Sequence, residues 1–210
     1  MGALLAELHG IRQALLTLAI LFFCIMLLEV DLGHAPALAG NEAWLAVIPV
    51  VWLPVTLAAL MAVQVRPAPA TAFVALAVTA VAAVIGAAGS GLHMMAAGVD
   101  FGHLARVFSS AVWGGPVSPN WPVAIAVAAV LGFAGAAGAL TAEPGEPGLP
   151  RGLAGAASAI AYLLILAAIV CAAAPRLAMV SSACLAAAAL LLLAVLIAML
   201  AGAALQRSLP

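Results

Sequence analysis

The sequence predicts an all-α, polytopic transmembrane helical bundle of six spans, and three observations carry that prediction. Hydrophobic residues make up 68% of the 210 and charged residues only 6%, with a formal net charge of −1. A water-soluble domain carries about a quarter charged residues, so this chain has too few to cover a solvated surface. Its mean hydropathy is +1.33. The few charges divide the chain into six charge-free windows at 13–28, 43–65, 67–99, 107–142, 152–175 and 177–206. About 20 apolar residues cross roughly 30 Å of hydrocarbon at a 1.5 Å rise, and every window but the first exceeds that length. The first is completed by its polar exit. Strands are excluded because an open strand leaves backbone groups unpaired in lipid, and the windows lack the alternation of a barrel.

The spans are placed near 13–33, 43–64, 70–95, 121–141, 153–174 and 177–204 within one integral membrane domain. The first begins after Arg12, read as a flanking charge, with His9 as a surface residue just outside it. Ala37-Leu38-Ala39 has the small-x-small form of a signal-peptidase site. The polar stretch before it holds Glu29, Asp31 and His34, longer and more acidic than a cleavage region usually is, so retention of the first span is expected. In the second span Pro49 and Pro54 each remove a backbone donor and crowd the preceding turn, which predicts a kink and freed carbonyls. Trp52 sits deep in that span, so its indole N–H needs a partner inside the bundle; the freed carbonyls beside it are a candidate polar lining. Gly86, Gly89 and Gly91 on the third span and Gly132, Gly135 and Gly138 on the fourth predict tight packing between those two helices. The stretch 90–121 is too long for a simple turn. Its near-helical apolar spacing suggests an interfacial or re-entrant segment, broken by Trp113-Gly-Gly-Pro before the fourth span. Thr141 to Gly152 is a Pro/Gly-rich turn, and the last two spans are joined by Ala174-Pro175-Arg176.

Orientation rests on arginine alone, because the chain has no lysine. Arg12, Arg66, Arg151 and Arg207 fall on one side of a six-span topology and Arg106 and Arg176 on the other, which places both termini in the cytoplasm. Trp44, Trp113 and Trp121 fall near helix ends on the outer side, where indole favours the interface. Alanine richness and the absence of lysine suggest a bacterial inner membrane. Nucleic acid is excluded as a partner, since no basic stripe is present to neutralise phosphates. Cys24, Cys171 and Cys184 lie inside spans without CxxC spacing and read as small buried hydrophobes.

One polar pattern stands out. The chain's two aspartates occur in Val30-Asp-Leu-Gly-His34 and Val99-Asp-Phe-Gly-His103, alike at four of five positions. Each follows an odd-numbered span and precedes an Asn with a Trp close behind, as two duplicated hairpins (13–64 and 70–141) would arrange them. Residues three apart share a helix face, so Asp31 can reach His34 and Asp100 can reach His103. If the third helix runs on, His93 joins the same stripe. Asp31, His34, Asp100 and His103, with Glu29 at the hydrocarbon edge, have the chemistry of a transition-metal site for zinc, iron or copper at the outer face. His93, Met94 and Met95 add soft sulfur and suggest copper, or a haem held by His and Met. Against this, Asp100 can equally cap a short helix, and the other groups can be solvated residues leaving the bilayer.

Motifs of soluble-type catalysis are missing: no GxSxG, Walker A loop, HExxH or GxGxxG. Three functions are therefore expected from different classes: a metal or haem site serving redox or cofactor handling, an accessory or assembly subunit packed against other membrane subunits, and a small-solute channel or transporter using the kinked second span.

Overall fold

The structure, a computed structural model, describes residues 2–33, 43–99, 120–142, 153–172 and 177–208. Among them there are six helices and no strand: α1 Gly2–Gly33, α2 Ala43–Val65, α3 Pro69–Ala96, α4 Asn120–Ala139, α5 Leu153–Ala172 and α6 Ala178–Ser208. Five are long and apolar enough to cross a membrane, whereas the apolar run of α5 is shorter, Ala156–Ala168. Helix boundaries fall close to those read from the charge-free windows, with one large exception. α1 begins at Gly2, so Arg12 lies within a helix, close to the start of the stretch His9–Glu29 that is long and apolar enough to cross a membrane.

α1 is the most buried span and the hub of the bundle. It packs against α2, α4 and α6; α2 packs on α3, and α5 pairs with α6. Its core face is built from Leu16, Ile20 and Phe23, all fully buried. Lipid tails are as apolar as leucine, so what holds such helices together is close van der Waals contact and interhelical hydrogen bonds.

The most extensive pairing is that of α3 with α4. α3 turns a face of small residues inward, Ala72, Ala75, Thr79, Ala82, Gly86 and Ser90, spaced by three or four as a helix stripe requires. At its centre Gly86 lets the two backbones meet: a Cβ there would lie 2.6 Å from the Ala126 nitrogen and 2.7 Å from the Pro122 oxygen. Gly89 rests on the Pro122 ring at 3.3 Å. The other glycines depart from the sequence expectation. Gly91 meets nothing within 4 Å, Gly132 receives Leu60 of α2 and Thr79 of α3, and Gly135 and Gly138 receive Leu16 and Arg12 of α1. α4 thus spends its glycines on three partners, because it lies between them.

Both ends of α3 have local causes. Pro69 occupies the first helical position, where its missing N–H costs nothing. The Thr71 hydroxyl accepts from the Ala68 N–H at 3.2 Å and donates to the Arg66 carbonyl at 2.9 Å. At the other end the Gly98 N–H donates to the Met95 carbonyl and the Val99 N–H to the Met94 carbonyl, with Gly98 at φ +74°. This is a Schellman stop, in which the residue at left-handed φ is glycine because a Cβ would clash there. In α2, Pro49 and Pro54 are contained within one helix, and the Trp52 indole donates to the Val78 carbonyl of α3 at 3.2 Å. The partner demanded by that buried N–H is therefore a main-chain oxygen of the neighbouring span.

Candidate functional site

Of the residues proposed from sequence for an outer metal or haem site, His34, Asp100 and His103 lie outside the described residues. Asp31 falls in the last turn of α1. Glu29 is half-buried on the same helix, His93 and Met94 are half-buried near the end of α3, and Met95 is 62% exposed on the bundle surface. The C-terminal ends of α1 and α3 share one end of the bundle. The two pentapeptides nevertheless begin differently. Val30 to Gly33 continue α1 as helix, whereas Val99 follows the Schellman stop and is buried outside any helix. α3 therefore does not run on from His93 to Asp100, and the expected single stripe is broken at Gly98. Among the described residues no three His, Cys, Asp or Glu side chains come together as a metal site.

The described residues instead bury a different polar set, toward the opposite end of the bundle. Arg12, Gln13 and Thr17 of α1 are all buried, as are Gln64 of α2 and Ser158 and Tyr162 of α5. Gln64 Nε2 donates to Thr17 Oγ1 at 3.1 Å, tying the end of α2 to the first half of α1. Tyr162 directs its hydroxyl toward the Gln64 amide from α5. Their approach does not close a hydrogen bond of ordinary geometry: Tyr162 Oη and Gln64 Oε1 are both buried without a partner. A buried polar group left unmatched costs about 1–3 kcal/mol.

Helix geometry separates this seam from the nearby charge. At 100° per residue Gln13, Thr17 and Cys24 fall within an arc of about 40°, while Arg12 lies roughly 100–140° away. Arg12 accordingly serves another face. Its stem lies along Gly138 of α4, and its Nη2 donates to His9 Nδ1 at 2.8 Å. A guanidinium has only donors, so His9 Nδ1 is the acceptor of that bond. His9, expected from the sequence to be a surface residue, is half-buried, and Arg12 is only 5% exposed. Thr17 lies five residues beyond Arg12, about 7.5 Å deeper along the helix axis.

The sequence reading missed this seam because it followed charges and histidines. A signal for it was present. Two of the chain's three glutamines and its single tyrosine stand inside otherwise apolar helices, and Gln13 and Thr17 are spaced i, i+4.

No protein-family model, curated protein or solved structure matches this chain.

Proposed function

We propose that this chain is a six-span protein of a bacterial inner membrane, with both termini on the arginine-rich cytoplasmic side. It works as a small-solute channel or transporter through the polar seam between α1, α2 and α5. The observation that carries this reading is the burial of Thr17, Gln64 and Tyr162 in the interior of the bundle with Gln64 Oε1 and Tyr162 Oη unmatched. Polar groups within a membrane bundle face its interior at a cost and are characteristic of solute pathways. A purely structural clasp gains most when every member is satisfied, because a half-satisfied network is worse than an apolar one. The test is reconstitution into liposomes loaded with a panel of small solutes, followed by efflux. Protein-dependent flux that is lost in Thr17→Val combined with Gln64→Leu supports the reading; flux indistinguishable from empty liposomes for every solute rejects it.

A second reading, a transition-metal or haem site at the outer rim, draws support from Glu29 and His93, both half-buried on helices that end at that rim. Metal analysis and an optical spectrum of the purified protein test it. Metal-free, spectrally silent protein that is unchanged by His34→Ala and His103→Ala discards it.

A further inference from the structure

We propose that Gln64 Oε1 and Tyr162 Oη together bind one small uncharged molecule able both to donate and to accept a hydrogen bond, with water as the resident occupant. The inference rests on reading the seam as the working site and names the class of molecule that site takes.

The chemistry follows from the groups themselves. Gln64 Nε2 is engaged by Thr17 Oγ1 at 3.1 Å, which turns the amide so that Oε1 is left for another donor. A carboxamide oxygen only accepts, so the occupant must supply an O–H or N–H; a phenol donates as readily as it accepts, so the occupant can accept from Tyr162. Both atoms belong to side chains at most 5% exposed. Water serves such a site when it finds two or more polar partners, and any small amide or alcohol offers the same pair of functions.

Among the described residues the site holds no charged side chain. Gln13, Thr17 and Cys24 form the α1 stripe on this side, and Arg12 is turned toward Gly138 and His9. Ile20, Leu57 and Ile165 are fully buried, and the other buried polar side chains of α2 and α5, Thr56 and Ser158, are uncharged. An ion placed between Gln64 and Tyr162 would lose its hydration without a counter-charge, which a medium of low dielectric penalises far more than the loss of one neutral hydrogen bond. The discrimination is therefore by charge before size.

Position 162 holds the chain's single tyrosine, so incorporation of 3-fluorotyrosine gives one 19F resonance that reports on this site alone. The experiment uses the full chain in lipid nanodiscs. Exchanging H2O for D2O is expected to move the resonance, and formamide is expected to move it saturably, whereas formate and ammonium at the same concentrations leave it in place. Gln64→Met, close in shape but without the amide oxygen, is expected to lose the formamide response with elution and helicity unchanged. The wild-type measurements stand on their own should that variant fail to fold. A resonance indifferent to D2O and formamide would overturn the proposal, showing Tyr162 and Gln64 closed directly on one another. A response to formate or ammonium as large as that to formamide would also overturn it. Failure here is separable from failure of the transport reading: flux with a silent 19F resonance removes the binding site and keeps transport, and a formamide response without flux does the reverse.

Discussion

At the scale of single residues the bundle distinguishes sharply between glycines that look alike in sequence. Gly86→Ala would put a methyl group against main-chain atoms of Ala126 and Pro122, neither of which can rotate aside. The helices must separate, and overpacking of this kind costs about 1–3 kcal/mol. Gly91→Ala meets open space, so its effect should stay within about 0.5 kcal/mol of wild type or be slightly stabilising. Denaturant titration of the two variants in detergent checks the contrast; equal stabilities would mean that α3 and α4 do not meet at Gly86. Trp52→Phe keeps the ring but removes the donor to the Val78 carbonyl, for an expected loss of about 0.5–1.5 kcal/mol by the same measurement. Sequence could announce the need of Trp52 for a partner but not its identity, since a main-chain carbonyl leaves no mark in composition. Arg12 shows the same limit. Its charge is plain in the sequence, but that its stem finds a groove at Gly138 and its head finds His9 is contributed by the fold.

Elements were readable where their causes are local. The apolar windows give the helices; the structure adds that Pro69 starts α3 and Gly98 ends it, again through a few adjacent residues. What a helix faces is not local, which explains why the glycine pattern of α4 suggested one partner when it serves three. It also explains why the two pentapeptides begin differently: Val30 is preceded by an uninterrupted helix and Val99 by a left-handed glycine. Gly98→Ala is expected to cost about 1–2 kcal/mol locally, the penalty of a Cβ at positive φ. The loss should appear as faster amide hydrogen exchange at Gly98 and Val99 with little change in global stability. Unchanged exchange there would remove the Schellman stop from the account of why α3 ends before Asp100. Between elements, the Gln64 to Thr17 bond joins α2 to α1. Hydrogen bonds of this kind in membrane bundles average about 0.6 kcal/mol, so Thr17→Val alone should leave the fold intact. That makes it a suitable probe of function in the transport assay.

At the scale of the whole molecule, the contacts fix which helix ends lie together even though no membrane is present. Gln64 at the end of α2 meets Thr17 in the first half of α1, and Gly138 at the end of α4 meets Arg12. The start of α3 is joined to the end of α2 by Arg66 to Ala68, so these ends occupy one side and the Ala97 turn occupies the other. Which side is cytoplasmic then depends on the arginines. Burial of Arg12 does not remove it from that balance, because the bias acts on charges that resist translocation before the bundle has packed. On the proposed six-span topology Arg12, Arg66, Arg151 and Arg207 would therefore still outweigh Arg106 and Arg176. Single cysteines at Ala70, Thr141 and Ala97, all exposed, test the arrangement with a membrane-impermeant maleimide. The native thiols give the background: Cys24 is buried and Cys171 and Cys184 are half-buried. Ala97→Cys is expected to label in intact spheroplasts, and Ala70→Cys and Thr141→Cys only after permeabilisation. The reverse pattern would invert the protein and put the mouth of the Gln64 and Tyr162 seam outside. Labelling of Ala70→Cys and Thr141→Cys from opposite sides would break the bundle itself, since α1, α2 and α4 could no longer share the end at which Arg12, Gln64 and Gly138 come together.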